Sequence, residues 1–429
     1  MRILAINSGS SSLKYALIDI AADAGGGGAE AVIERGGFRR IGLEGSVFEW
    51  QGEDGGRAQR PGLALISPRM STGAPASPAD RRQSRKSSRT LPLPDHAAAM
   101  AELVRHLGRR LSPAIGCIGH RIVHGGSRYR TPRLVTPRVL DGLRELIRLA
   151  PDHLPDEIEA LEFFGRSFPE TPQVACFDTA FHRHMRPPAR SLPLPRALED
   201  DGLIRYGFHG LSCEYVLSRL ECEPAGAPRR LVIAHLGNGA SMTAVRDGHG
   251  VDTTMGFTPA GGLMMSTRSG DLDPGVIFFL LREKGFDPDE AAKLLNGGSG
   301  LLGVSGISGD MQDLLARESE EPRAAAAVAL FCHLARRQLG GLVFGLGGLD
   351  ALVFTGGIGE RSSAVRERIC AGLEFFGLRL NGRMNRKNAG HISAAESTVD
   401  IRVIETDEEL TIARHTARLI RERGERPGN

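Results

Sequence analysis

The stretch Arg2–Asp19, RILAINSGSSSLKYALID, decides how the rest of the chain is read. Apolar Ile3, Leu4 and Ile6 give way to a polar turn, Asn7-Ser8-Gly9-Ser10-Ser11-Ser12, and the apolar pattern resumes after Lys14 at Tyr15, Leu17 and Ile18. That is strand, small-residue turn, strand. Its hydroxyls and closely approachable backbone N–H groups suit an oligophosphate, and Lys14 adds a point charge beside them. Taken alone, such a turn reads more simply as a solvated hairpin. Leu231–Val245, LVIAHLGNGASMTAV, repeats the arrangement with a Gly/Asn/Ser turn. Two such hairpins predict two related half-domains facing one phosphate chain.

A chain of 429 residues exceeds one ordinary core, so two domains are expected. A formal net charge of +3 is too small to imply a nucleic-acid partner. No apolar run reaches the length of a membrane span; the Ala-rich stretch near 323–330 is short and flanked by charge. Asn7 interrupts the first apolar run, so no signal-peptide pattern is present. Cys117, Cys176, Cys213, Cys222, Cys332 and Cys370 show no CxxC spacing and read as reduced thiols of a cytoplasmic protein.

Gly25–Gly28 reads as a flexible break, and 52–90, rich in Gly, Pro, Ser and Arg, as loops around weak edge strands. Helical spacing of Ala99, Leu103 and Leu107 predicts a helix over 95–111. AIGCIGHRIVHGG, 114–126, is a buried strand opening into a loop with His120, Arg121 and His124 at its mouth. Arg121 stands where α/β folds bind ligands, and its fork matches a carboxylate or phosphate. A helix over 137–149 follows, then a turn with His153. In QVACFDTAFHRH, 173–184, Asp178 projects from a strand tip, either as a functional carboxylate or as a helix cap. RYGFHGLS places His209 between Phe208 and Gly210, a setting typical of packed histidines, before a helix over 212–220. The polar segment 251–275, VDTTMGFTPAGGLMMSTRSGDLDPG, is long for a loop without a task. Within it Arg268 reads as an anion contact, while Asp271 and Asp273 either face a cation or cap the helix at Pro274. A long helix over 322–342 leads into ALVFTGGIGE, 351–360, which by spacing is not the dinucleotide fingerprint. The last strand, 401–404, runs into Glu405-Thr406-Asp407-Glu408-Glu409 and a closing helix.

Together NSGSSSLKYALID, GHRIVHGG, CFDTAFH, YGFHGLS, HLGNGAS, DTTMGFTP, STRSGDLDPG, FTGGIGE and TDEELTIARHT resemble, in order, the motifs of the acetate kinases. They run from Asn7 to Thr416, and 20–110 carries no signature of that family. The resemblance implies an α/β protein of two duplicated ribonuclease-H-like domains, of the acetate-and-sugar-kinase/actin/heat-shock-ATPase superfamily. It sets the first domain at 1–180 plus 407–429 and the second, nucleotide-binding domain at 181–406. It further implies a homodimer and Mg²⁺, or Mn²⁺ in its place, with ATP or ADP as co-substrate.

Carried over residue by residue, the resemblance puts Mg²⁺ on Asn7 and Glu408, with Glu409 as a less favoured substitute. Ser10, Ser12 and Lys14 then lie near the phosphates. Arg121 takes the carboxylate or acyl phosphate, and Val123 and Pro259 line the acyl pocket. Asp178 matches the catalytic acid/base, and His209 and Arg268 match stabilisers of the transition state. His235, Leu236, Gly237, Asn238 and Gly239 would cradle ATP, as would Asp310, Met311 and Gln312 and the run Gly357, Ile358, Gly359, Glu360 and Arg361. Acetate, with a pKa of about 4–5, is already ionised at neutral pH, so Asp178 suits an orienting or metal-water role better than proton abstraction.

Four positions depart from the family pattern. Asp310-Met311-Gln312 replaces Asp-Phe-Arg, Arg361 stands where Asn is usual, Asp152 where the acyl pocket has Leu, and TPAGG (258–262) where TPLEG is usual. The expected reaction is reversible phosphotransfer from ATP to acetate. Propionate kinase is the alternative within the class, since one methylene in a pocket is worth only about 1–3 kcal/mol. Outside the class stands an actin- or chaperone-like ATPase module, which has no need of a carboxylate pocket.

Overall fold

The structure is a computed structural model and describes residues 1–9, 11–21, 29–52, 85–108 and 115–424. Ser10, Gly25–Gly28 and most of the 52–90 stretch read from sequence lie outside the described residues. The first hairpin forms as its pattern requires: β1 (Arg2–Gly9) and β2 (Ser12–Ile20) pair antiparallel from Arg2↔Asp19 to Gly9↔Ser12. Asn7 is thereby fixed opposite Lys14. Strands β3 (Glu30–Arg39), β4 (Val47–Gly52) and β5 (Arg85–Thr90) continue the meander, so part of 52–90 is an edge strand. On the other side of β1, β6 (Cys117–Ile122) runs parallel to it. The two-residue β7 (Arg133–Leu134) lies antiparallel to β8 (Gln173–Phe177), itself parallel to β6. The sheet order is β5-β4-β3-β2-β1-β6-β8-β7.

A second sheet comprises β9 (Arg230–Leu236), β10 (Ala240–Arg246), β11 (His249–Thr253), β12 (Ala351–Thr355) and β13 (Asp400–Val403), in the order β11-β10-β9-β12-β13. Its first three strands form an antiparallel meander, and β12 and β13 add in parallel. Set aside β4, β5 and β7, and the first sheet reads β3-β2-β1-β6-β8, with the same order and the same strand senses. The fold is α/β with this five-stranded unit occurring twice, as the paired hairpins predict.

Helices α1 (His96–Leu107), α2 (Pro137–Glu145) and α3 (Leu154–Ser167) accompany the first sheet. α4 (Arg196–Asp200) and α5 (Gly210–Glu221) lead to the second. There follow α6 (Pro274–Arg282), α7 (Pro288–Gly297), α8 (Gly300–Ser305), α9 (Met311–Arg317) and α10 (Pro322–Leu346). Past β12 come α11 (Gly356–Arg361), α12 (Ser363–Cys370) and α13 (Gly382–Arg386), and α14 (Glu408–Gly424) closes the chain. The predicted helix over 137–149 ends at Glu145 and continues as a 3₁₀ turn, Ile147–Leu149. α3 was not expected. Its Pro155 and the acids Asp156 and Glu157 sit in its first turn, and Ile158, Leu161 and Phe164 give it a buried face. α5 starts at Gly210, two residues earlier than read.

The closing helix returns to the first sheet and packs on β1, β2, β6 and β8. Gly119 on β6 allows this closeness. A methyl there would stand 2.3 Å from Thr416 Oγ1 and 2.6 Å from Ile412 Cγ2, so any side chain lifts α14 off the sheet. The seating of α14 in turn sets where its N-terminal Glu408 and Glu409 lie. The described cysteines are all free, five buried and Cys222 exposed. Among the described residues no helix is long and apolar enough to cross a membrane.

Candidate active site

The chain ends meet at the first hairpin. Asn7 Nδ2 donates to Glu408 Oε2 (2.9 Å) and Glu409 Oε1 (3.2 Å), joining β1 to the start of α14. Arg121, at the end of β6, donates to Asn7 Oδ1 through Nη1 (3.4 Å) and to Asp178 Oδ2 through Nε (3.0 Å) and Nη2 (2.6 Å). β6 and β8 are parallel neighbours, which is why the ends of both deliver their side chains to one place. Burial disfavours the charge on Arg121, but Asp178, Glu408 and Glu157 outweigh it and hold the guanidinium protonated. Burial pushes the Asp178 carboxyl above the usual aspartate range; Arg121 pulls it down and Glu408 pushes it further up. Asp178 begins the 3₁₀ turn Asp178–His184 and caps no helix; its Oδ1 is buried without a hydrogen-bond partner. Of the three residues at the mouth of 114–126, only Arg121 reaches this site. His120 is buried against Phe164, and His124 packs on Tyr206 and Phe208.

The second hairpin supplies the facing wall. His209, the residue before α5, adopts φ 56° and ψ 28°, a left-handed conformation rare for a side-chain-bearing residue. Its Nδ1 lies 2.9 Å from Ser241 Oγ on β10, and its ring stacks on His235 of β9 at 4.2 Å between centroids. Burial, then His235, Arg121 and Arg268, push its pKa well below the ordinary value, so the ring is neutral. Gly239 is the turn residue between β9 and β10. A methyl there would stand 3.2 Å from His209 Nε2 and 3.6 Å from Arg268 Nη1. The turn, the imidazole and the second guanidinium therefore share one small space. Arg268 donates to the Pro259 carbonyl (3.2 Å) and lies 3.3 Å from His153 Nε2. Burial and then the charges of Arg268 and Arg121 push His153 down to about 3, leaving it a neutral acceptor. Burial lowers the pKa of Arg268 and the Arg121 charge adds to that, as befits two cations in one cleft.

Several residues to which the sequence reading gave no role at the site support this set. His153, just before α3, meets Arg268. Glu157, one turn later, accepts the Val123 N–H with both oxygens (2.9 and 3.2 Å) and stands 4.0 Å from Arg121 Nη1. Burial raises Glu157 to about 8, against the pull of Arg121. Ser212 donates to Thr406 Oγ1 (2.8 Å) and lies 2.9 Å from His235 Nδ1, tying α5 to the segment before α14. The Pro155-Asp156-Glu157 start of α3 was the one available signal for the first two.

Other candidates fall less simply into place. Asp152 is exposed and accepts from Asn296 Nδ2 (3.1 Å), so it does not line an apolar pocket. Val123 is buried in the core. Leu236 and Met311 bury their side chains in that same core, leaving only their backbone for a nucleotide. Glu360 points inward and braces the Gly-rich turn, accepting from Gly356 N (2.9 Å) and Thr406 N (3.1 Å). Asp310 caps α9 through the Gln312 N–H (2.8 Å). Asn238, Gly357, Arg361 and Gln312 are exposed, while Gly237, Ile358 and Ser12 are half-buried and Gly359 is buried. Asp273 caps α6, and Asp271 accepts the Gly262 N–H (2.7 Å), so both are engaged within the loop.

A hard cation fits at Asn7 and Glu408. Glu408 offers such an ion an ionised oxygen, Asn7 joins it through Oδ1 once its amide turns from Arg121, and the partnerless Asp178 Oδ1 is an acceptor for a metal-bound water. Burial alone would raise Glu408, but Arg121, His235, Lys14 and the Asn7 amide together hold it below the usual glutamate range. Glu409 is raised by burial, only partly countered by Lys14, and is the poorer anion. Among the described residues no three His, Cys, Asp or Glu side chains gather into a metal cage.

Comparison with known proteins bears on the same elements. The model of the acetokinase family matches residues 75–414. An acetate kinase from Rhodopseudomonas palustris is 48% identical over 329 residues, 76% of this chain and 82% of that protein. A propionate kinase from Citrobacter rodentium is 39% identical over 427 residues, 97% of this chain and 96% of that protein. Among solved structures, a propionate kinase from Francisella tularensis superposes with a TM-score of 0.83 at 31% identity, covering 97% of this chain and 99% of that one. The acetate kinase of Porphyromonas gingivalis gives 0.79 at 32% identity, covering 98% and 99%. The family match takes in Arg121, Asp178, His209, Arg268 and Glu408, and the alignments over 97–98% of the chain extend it toward the first hairpin: this chain belongs to the acetokinase family.

Proposed function

We propose that this protein transfers the γ-phosphoryl group of ATP reversibly to acetate, giving acetyl phosphate and ADP, with Mg²⁺ held by Asn7 and Glu408. The observation that carries the reading is the convergence of Arg121, Arg268 and a neutral His209 beside the Asn7–Glu408 pair. The difficulty of the reaction is electrostatic, since an ionised carboxylate must approach a charged phosphoryl group in line. Arg121, oriented by Asp178 through two N–H bonds, grips the carboxylate. Arg268, steadied by the Pro259 carbonyl and His153, spreads its charge over the equatorial oxygens of the transferring group. Nδ1 of His209 lies 2.9 Å from Ser241 Oγ, and with the hydroxyl as donor the neutral ring keeps its proton on Nε2, where it serves the same oxygens. Bound Mg²⁺ supplies charge neutralisation at the phosphates. Lys14, Ser10 and Ser12 serve the phosphate chain from the first hairpin. His235 to Gly239, 310–312 and 357–361 cradle the nucleotide. The domains divide as 1–180 with 407–429 and 181–406, and their closure excludes water as a competing acceptor.

A second reading, propionate as acceptor, is favoured by the full-length match to the Citrobacter rodentium propionate kinase. We further propose a cytoplasmic homodimer. Its support is α6, which has no buried residue and exposes Val276, Ile277, Phe278 and Phe279. If a Phe278→Glu, Phe279→Glu variant still sedimented as a dimer, that interface would be withdrawn. The function is tested by trapping acyl phosphate as hydroxamate with ATP and acetate, propionate or butyrate. Acetate should give the highest kcat/KM. ATP hydrolysis that no carboxylic acid stimulates would instead establish the ATPase module.

A further inference from the structure

A cavity of about 950 Å³ flanks the closing helix beyond the site described above, along α14 from Thr411 to Arg423. Five arginines line it, at 133, 183, 414, 418 and 423. Arg414 is matched by Glu30 through two bonds of 2.7 and 2.8 Å. Among the described residues the other four form no ion pair. The cavity carries two carboxylates: Glu214, which is taken up by His415, and the exposed Glu422. Four guanidiniums around one void without a carboxylate partner offer their charge to a shared polyanion. Each fork donates in parallel to two oxygens of a phosphate, and the volume matches that of small-molecule sites.

The walls of this cavity are built on the elements that carry the catalytic groups. α14 begins with Glu408 and contributes Arg418. The 3₁₀ turn begins with Asp178 and contributes Arg183. α5 follows directly on His209, holds Ser212 against His235 and contributes Glu214. We propose that the cavity is an effector site for a small molecule bearing two or more phosphoryl groups. Drawing Arg183 and Arg418 onto one ligand acts on the elements that place Asp178 and Glu408, and coupling of this kind is reciprocal between the two sites.

The test uses the full chain with sodium tripolyphosphate as probe. Calorimetry is run with the nucleotide site saturated by a magnesium complex of a non-hydrolysable ATP analogue. One binding event per chain should remain, weakened about tenfold or more in an Arg133→Ala, Arg418→Ala variant, for loss of two charge-assisted contacts. At fixed free Mg²⁺, saturating tripolyphosphate should change kcat or the KM for ATP at least about twofold in the parent, and neither in the variant. Should the double variant not fold, the exposed Arg133→Ala exchange alone carries the test. The proposal is overturned by any of three results. These are no binding event beside the bound analogue, an event unaltered by the variant, or binding that leaves both kinetic constants unchanged. Citrate binding there as tightly as tripolyphosphate would overturn the phosphate assignment.

Discussion

Replacing Arg121 by alanine removes the cation that holds Asp178 and stands 4.0 Å from Glu157, both fully buried. Losing one partner of a buried ion pair costs about 3–5 kcal/mol when the other stays charged. A stranded carboxyl escapes part of that by taking a proton, at about 1.4 kcal/mol per unit between its pKa and the pH. Asp178 already lies above the usual range and Glu157 at about 8 with Arg121 present, and removing the guanidinium raises both. Their folded pKa values then exceed the unfolded ones, so the folded state binds more protons and stability falls as pH rises. The expected destabilisation is about 3 kcal/mol or more at pH 8, and smaller at pH 5.5 by at least about 1.4 kcal/mol. Urea unfolding followed by Trp50 fluorescence measures it cleanly, because the chain has one tryptophan and it lies on β4 of the sheet that holds Arg121. A cost equal at the two pH values, or below about 1 kcal/mol at pH 8 as for a surface pair, would refute the argument.

Other outcomes follow from the same geometry. Glu408→Gln should raise the Mg²⁺ concentration for half-maximal rate on the order of tenfold, and Glu409→Gln much less, read from magnesium titrations of the initial rate. Glu157, raised to about 8, makes the native state lose stability as pH climbs from its unfolded value near 4.5 to about 8. Glu157→Gln should flatten the melting-temperature profile across that window, and an unchanged slope would exclude Glu157 as its source. In Gly239→Ala the new methyl stands 3.2 Å from a His209 ring that Ser241 and His235 prevent from retreating. Overpacking of about 1–3 kcal/mol felt at the reacting groups should lower kcat on the order of 10- to 100-fold, and kcat within twofold of the parent would show the space to be slack.

Much of this was legible in the chain before it was folded. Both hairpins stand where the apolar–polar–apolar pattern put them, because a two-residue register leaves a half-buried strand little choice of face. β3 to β5 were harder to read. Gly36 and Gly37 interrupt β3, and β5 is RKSSRT, an edge strand whose pattern is polar throughout. α3 was hidden by its Pro-flanked start, which reads first as a turn. The family resemblance brought Glu360, Leu236 and Met311 forward but carried no direction for their side chains. Only the packing reveals that Glu360 binds backbone while the other two enter the core. His153, read only as part of a turn, and Glu157 received no role for the opposite reason. Their partners Arg268 and Val123 lie far along the chain or in the loop after β6, and no local pattern marks a residue that holds another in place.

The account stands or falls on Arg268, whose guanidinium shares the Gly239 space with His209 and feels the charge of Arg121. The direct measurement is kcat for acyl phosphate formation from ATP and acetate in the parent and in Arg268→Ala, each confirmed folded. If charge neutralisation at the transferring phosphoryl group drives the reaction, kcat falls on the order of 10²-fold or more while the KM for ATP barely moves. A variant that turns over within about twofold of the parent contradicts it.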